Sequence, residues 1–478
     1  MTSVTRAARH RRADLIVLGI EAALLAAAVA AGALLNHRGV RLYADAAPLY
    51  ATWRPHLGWG TPGALLVAAV VLARGVRWAE RAPWPRLLAA GYLTALAWTL
   101  SLALVDGWSA GLARRLTPQA EYLHEVPRVT DIGAMLAGFT GRVLDFQPDS
   151  WSTHAAGHPP GALLIFVWLD RIGLGGGTAA GLACVLLGTT VSVSVPVTLR
   201  ALGAEDAARA VWPFLVLFPG AVWVGASADG IFAAVIAAGL ALLAIGARWA
   251  AAPGGLLLGF ALYLSYGFVL VGLLALTVVA ARARDRLWVL TVATGTVAVV
   301  VATFTVAGFW WLDGYHLVVQ RYYQGWAAER PYGYWVWGNL AAVTLSAGPV
   351  VGPALRRAVA AGRSRAVGAG RSHAVGAGRT GVPRPPATGP TRRAVAGFRR
   401  RMAGPGRPAG WLSLAAAVTV LAADLSGLSK AEVERIWLPF AVWLLVATAH
   451  LPARDRRWWL AAQAGTALAV NHLLWTVS

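Results

Sequence analysis

Of 478 residues, 58% are hydrophobic and 13% charged, a balance that excludes a water-soluble domain and identifies an integral membrane protein. The single cysteine, Cys184, excludes an intramolecular disulfide. The formal net charge of +21 does not point to nucleic acid, because thirteen arginines and no acid fall between Arg356 and Arg407 and most others sit in short loops, as positive-inside orientation demands.

In chain order, a basic stretch at 6–12 precedes an apolar run at 15–35. That run is long and further spans follow, so it reads as an anchor with a cytoplasmic N-terminus, not a cleaved signal peptide. Residues 37–60 are then expected outside, the basic loop 74–86 inside, and 107–158 outside again. Arg282, Arg284 and Arg286 orient the second half independently. They place 309–338 and 428–435 on the same outer face as 107–158, and 356–410 and 454–457 inside.

Six apolar stretches lie between 161 and 281, and the first, 161–174, is short for a span of ~20 residues. Either it is a half-helix at the interface, which puts Asp229 outside, or 254–281 is one tilted crossing, which puts Asp229 inside. The expected fold is an all-α, polytopic transmembrane helix bundle of twelve or thirteen spans. Three regions are expected: a membrane core over 1–355, a cytoplasmic linker over 356–410 and further membrane helices over 411–478. The linker carries an octad repeat based on Ala-Val-Gly-Ala-Gly-Arg-Ser-His. Glycine, proline and like charge predict disorder there, with contact to anionic lipid headgroups as one use for the arginines.

Polar groups concentrate on the expected outer face. Glu121, Glu125 and Asp131 lie in Glu-Tyr-Leu-His-Glu-Val-Pro-Arg-Val-Thr-Asp, where a carboxylate close to low-dielectric lipid can take a proton from a hydroxyl. Glu121 and Glu125, four apart, would share a helix face ended by Pro127. His154 and His158 are also four apart, and suit proton transfer, phosphate binding or, with Glu121 or Asp131, a divalent cation. His-Pro-Pro-Gly at 158–161 is a rigid helix entry. Asp229 reads most simply as a helix N-cap. The turn at 429–437 holds Lys430 (the only lysine), Glu432, Glu434 and Arg435; it is either an ion-pair cluster or a phosphate site at headgroup level. Eleven aromatics crowd 309–338 around Arg321, Glu329 and Arg330, as an interfacial belt or as stacking surfaces for sugar.

An acidic outer loop, His-Pro-Pro-Gly opening a helix and a later Ser-Ala-Asp-Gly at 227–230 together resemble the GT-C superfamily of integral membrane glycosyltransferases. Protein O-mannosyltransferases and aminoarabinose transferases carry a comparable pattern. The segments 263–268 and 432–437 look like those of actinobacterial members. The resemblance implies a polyprenyl-phosphate-linked sugar as donor, membrane lipid as its setting, a hydroxyl acceptor and no nucleic acid. It implies Glu121 as the base, followed by Tyr122, with Glu125 second, and His158, Pro159 and Pro160 as the family's helix entry. Asp229 would lie near the sugar, which favours the outside placement. Metal dependence differs between such families, so the cofactor stays open between none and a divalent cation. Here two further spans precede the acidic loop, and Glu121 stands where aspartate is usual. An oxocarbenium-like centre forms as the phosphate departs, so a cation must meet the leaving charge; Arg435, His154 and Arg321 are the candidates, in that order. A ligase or polymerase of lipid-linked glycans, or a flippase, is the alternative.

Overall fold

The computed structural model describes residues 3–282, 284–376 and 407–476. Among the described residues six helices are long and apolar enough to cross a membrane: Ala8–His37, Gly60–Arg81, Trp84–Ala103, Gly177–Ala201, Arg286–Val306 and Arg407–Leu425. A seventh is the pair Tyr332–Ser346 and Val351–Arg363, bent by 94°. Such helices form because only a helix satisfies its backbone polar groups internally in lipid. Exposed Leu15, Ile16 and Ile20 on the first helix, and Leu287 and Val299 on Arg286–Val306, present apolar surface outward.

Polar contacts sort into two groups, held apart by helices such as Trp84–Ala103, roughly 30 Å long. At one end Asp14 pairs with Arg356 and Arg357, and Arg456 reaches Glu80 at 3.4 Å. Arg209 donates to the carbonyls of Ala79 and Ala82, and Arg248 lies 3.3 Å from Asp285. Of these segments, those of 6–12, 74–86, 282–286, 356–357 and 454–457 are the ones expected to share the basic face. At the other end Arg41 pairs with Glu329 at 2.5 Å, and His56 and Arg115 both pair with Asp106 at 2.6 Å. There the short strands Ala51–Trp53 and Leu474–Thr476 pair antiparallel.

The expected twelve or thirteen full spans are not all full length. Between 160 and 281 turns divide much of the chain into shorter helices, with Pro196 and Pro213 lying inside two of them, and Asp229–Ala244, Tyr266–Ala281 and Leu438–His450 are apolar but short. The 12-residue helix Pro160–Arg171 does not cross. Its Arg171 donates to the carbonyls of Val129 and Thr130, in the segment expected outside, so both helix ends lie at that end. That is the half-helix alternative, and Asp229 accordingly lies at the end bearing Glu121. Helix Val351–Gly376 runs through the first third of the stretch 356–410 expected to be disordered, its alanines and arginines being good helix formers. Residues 377–406 of that linker lie outside the described residues.

Candidate functional site

The loop after Pro118 turns tightly, with the Glu121 amide donating to the Pro118 carbonyl at 2.9 Å. Two short 3-10 turns follow, Tyr122–His124 and Val126–Arg128, instead of the expected helix bearing Glu121 and Glu125 on one face. Pro127 lacks the N–H that an α-helix would use, so the two carboxylates diverge. Glu125 turns to Arg128 (3.1 Å), Arg142 (3.7 Å) and the Ser152 amide (2.8 Å), locking the loop. These contacts give Glu125 a structural role. Asp131 is exposed and caps helix Ile132–Gly138, accepting from the Ala134 amide at 2.6 Å.

Glu121 instead meets His154. The His154 amide donates to the Ala120 carbonyl at 2.9 Å, fastening helix Thr153–Gly157 to the loop. Its Nδ1 lies 2.7 Å from Glu121 Oε1, and its Nε2 lies 3.2 Å from Arg435 Nη2. A guanidinium only donates, so Nε2 accepts and the ring proton sits on Nδ1, facing the carboxylate. The imidazole is thereby held as one neutral tautomer between an acid and a cation.

Arg435, buried on the short helix Val433–Ile436, also donates to Glu432 Oε2 at 2.6 Å and to Asp229 Oδ2 at 3.4 Å. Asp229 makes no side-chain cap bond, so the N-cap expectation is corrected: it is the first residue of its helix and faces the guanidinium. Burial opposes the charge on Arg435, but Glu432, Asp229 and Glu121 outweigh it and hold the guanidinium more firmly protonated than usual. Its Nε is buried without a partner.

Glu432 Oε1 faces Arg330 at 3.3 Å, and the Arg330 side chain also donates to the carbonyls of Leu42, Tyr43 and Lys430. Burial would raise the Glu432 carboxyl, but Arg435 and Arg330 overcome it and hold it down at about 2. Ala431 and Glu432 both occupy the left-handed region, at φ 71° and 63°, which costs ~1–3 kcal/mol per non-glycine residue. Asn339 supports this turn, donating to the Ser429 carbonyl (2.6 Å) and to Asp424 Oδ1 (2.9 Å). Glu434 points the other way and accepts from the Tyr50 amide at 2.8 Å; burial pushes its carboxyl up to about 7. Lys430 donates to the Ala327 carbonyl at 2.9 Å and ties the turn to the aromatic segment.

Tyr122 and His158 pack beneath this chain. The Tyr122 hydroxyl and the His154 carbonyl both lie 2.9 Å from His158 Nδ1, and burial lowers the His158 imidazole to about 4. Gly161 of the same motif abuts Tyr263, where an added Cβ would stand 2.5 Å from the carbonyl oxygen. Arg321 lies apart, in an ion pair with Asp145 at 2.6 Å whose angle falls short of a hydrogen bond.

Of the residues expected at the site, Glu121, His154, Asp229, Glu432 and Arg435 form one connected chain, in which Glu121, Asp229 and Arg435 are buried. Sequence reading undervalued Arg330, one charge among many aromatics, and missed Tyr50, whose contribution is a backbone amide. Trp326, half exposed, stacks on Tyr43 at 4.9 Å beside Arg330. A cleft of about 510 Å3 near the site is lined by Thr140, Gln147, Asp313, His316 and Gln320; its helix Trp311–Gln324 packs on the helix carrying His154. Among the described residues no three His, Cys, Asp or Glu are placed to hold a metal ion. No protein-family model, curated protein or solved structure matches the chain.

Proposed function

We propose that the chain is a GT-C-like glycosyltransferase that transfers sugar from a polyprenyl phosphate to a hydroxyl acceptor on the extracytoplasmic face. The observation that supports it most is the continuous contact from Glu121 through His154 to Arg435, Asp229 and Glu432, groups drawn from distant parts of the sequence to one end of the helices. An acid and a cation linked by a neutral imidazole suit a reaction that removes a proton at one point and releases anionic phosphate at another.

In this reading Glu121 accepts the acceptor's proton while the hydroxyl oxygen attacks the anomeric carbon. The bond from that carbon to the phosphate oxygen breaks, and the departing phosphate takes the electron pair. Arg435, its Nε free, meets the developing charge, and His154 keeps acid and cation in register. A single displacement inverts the anomeric centre. Substrate reaches the chain at its less buried edge, where the side chains of His154 and Glu432 are 18% and 20% exposed. The Tyr43–Trp326 stack beside that edge offers a ring face to the sugar or prenyl chain.

The test is turnover of radiolabelled polyprenyl-phosphate hexoses and pentoses by purified protein, with inversion read by NMR of the product. Glu121→Gln is expected to abolish transfer while the protein remains folded in the membrane. Full activity in that variant removes Glu121 as base; the absence of transfer from every donor removes the proposal.

A further inference from the structure

At the opposite end from Glu121 a second cleft, of about 400 Å3, opens between three segments remote in sequence. His10 comes from the first helix, Arg357 from helix Val351–Gly376, and Pro452, Ala453 and Arg454 from the turn before helix Arg456–Leu473. Asp14 is buried and takes both Arg356 and Arg357, while Arg356 also donates to the His10 carbonyl at 3.3 Å. Arg454 lies 3.7 Å from Asp455, beyond hydrogen-bonding distance, and its side chain is 65% exposed. Three arginines therefore face two carboxylates around the opening, leaving an excess of positive charge. One turn deeper the first helix exposes Leu15 and Ile16, and helix Arg456–Leu473 exposes Trp458. A cationic hollow with apolar surface beside it fits an anionic headgroup whose chains run along the helices.

We infer that this cleft binds the phosphate group of an anionic membrane lipid, held by Arg357 and Arg454 with His10 beside them. The site is independent of the proposed transferase reaction. It differs from diffuse attraction to a charged surface, because its cations come from separate segments that only the fold brings together.

The test uses the purified full-length protein in vesicles of phosphatidylcholine, with and without phosphatidylglycerol, measuring lipid bound per protein and thermal stability. Wild type is expected to bind phosphatidylglycerol preferentially and to be stabilised by it. Arg454→Gln, at an exposed side chain whose loss should not unfold the protein, is expected to weaken that binding about fivefold. Arg12→Gln, an exposed arginine on the first helix outside the cleft, is expected to leave it within twofold. Equal losses in the two variants, or no preference for the anionic lipid in wild type, overturn the inference. Inorganic phosphate added in detergent separates the sources. Stabilisation by phosphate alone, lost in Arg454→Gln, keeps the phosphate site but assigns it to a free anion; no response to phosphate, with the lipid response intact, assigns it to lipid.

Discussion

At the residue scale, the acids of the site differ by environment more than by type. Glu432 sits between two guanidiniums and stays ionised, whereas Glu434, two residues on, faces a backbone amide and has one oxygen buried without a partner. Its folded pKa is raised from 4.5 to about 7, so between those values the native state binds more protons than the unfolded chain. Stability from this group is therefore full below 4.5 and falls as pH rises toward 7. His158 acts in the opposite sense. Its pKa is lowered from 6.5 to about 4, so its contribution is lost as pH falls from 6.5 toward 4. The two offset one another in wild type. Glu434→Gln is expected to make the melting temperature rise more steeply with pH between 4.5 and 6.5 than in wild type; an unchanged slope would show that Glu434 is not buried as described. Trp326→Ala, which removes the exposed ring and no member of the ionic chain, is expected to raise the donor KM severalfold with little change in kcat.

At the element scale, short segments carry the geometry. Asp131 caps helix Ile132–Gly138, so Asp131→Ala is expected to cost ~1 kcal/mol in chemical or thermal unfolding and leave transfer intact. Loss of transfer with unchanged stability would instead make it a catalytic group. Arg330 clamps residues 42 and 43 to the left-handed turn at 431 and 432. Arg330→Met leaves Glu432 with one cation and frees that clamp, for an expected loss of ~3–5 kcal/mol. A variant as stable as wild type would mean that the turn holds its strain without Arg330. Much of this was legible in advance. Pro-Pro-Gly marked a helix entry, and the shortness of 161–174 left two arrangements open, a half-helix or a single tilted crossing at 254–281. The 3-10 turns at 122–128 were not legible, because glutamates four apart read as a helix face until Pro127 is weighed against the tertiary pull on each carboxylate.

At the scale of the whole molecule, the two ends are chemically distinct. One gathers arginines from the first helix, 356–357 and 454–456; the other gathers the acids, histidines and aromatics. Charge asymmetry of this kind is what orients a chain in a membrane. Cys184 is buried, so engineered cysteines can report sidedness against a low background. Phe146→Cys, at an 82% exposed side chain near the acidic end, is expected to react with a membrane-impermeant maleimide in intact cells. Trp249→Cys, at 69% exposure beside Arg248, is expected to react only after the membrane is opened. The reverse pattern would invert the orientation.

Local composition determined the helical membrane class, the basic and acidic ends, and the segments from which a site could be drawn, because hydropathy and charge act through solvent and lipid without regard to partners. Which acid faces which cation was decided only by tertiary packing. Glu121, Glu125 and Asp131 are all carboxylates of one short stretch, yet one meets His154, one is held by Arg128 and Arg142, and one caps a helix. A carboxylate's role follows from the donors within about 3 Å of it, and local turns bring those donors to Glu121, Glu125 and Asp131, whereas Arg435 reaches His154 and Asp229 across 281 and 206 residues.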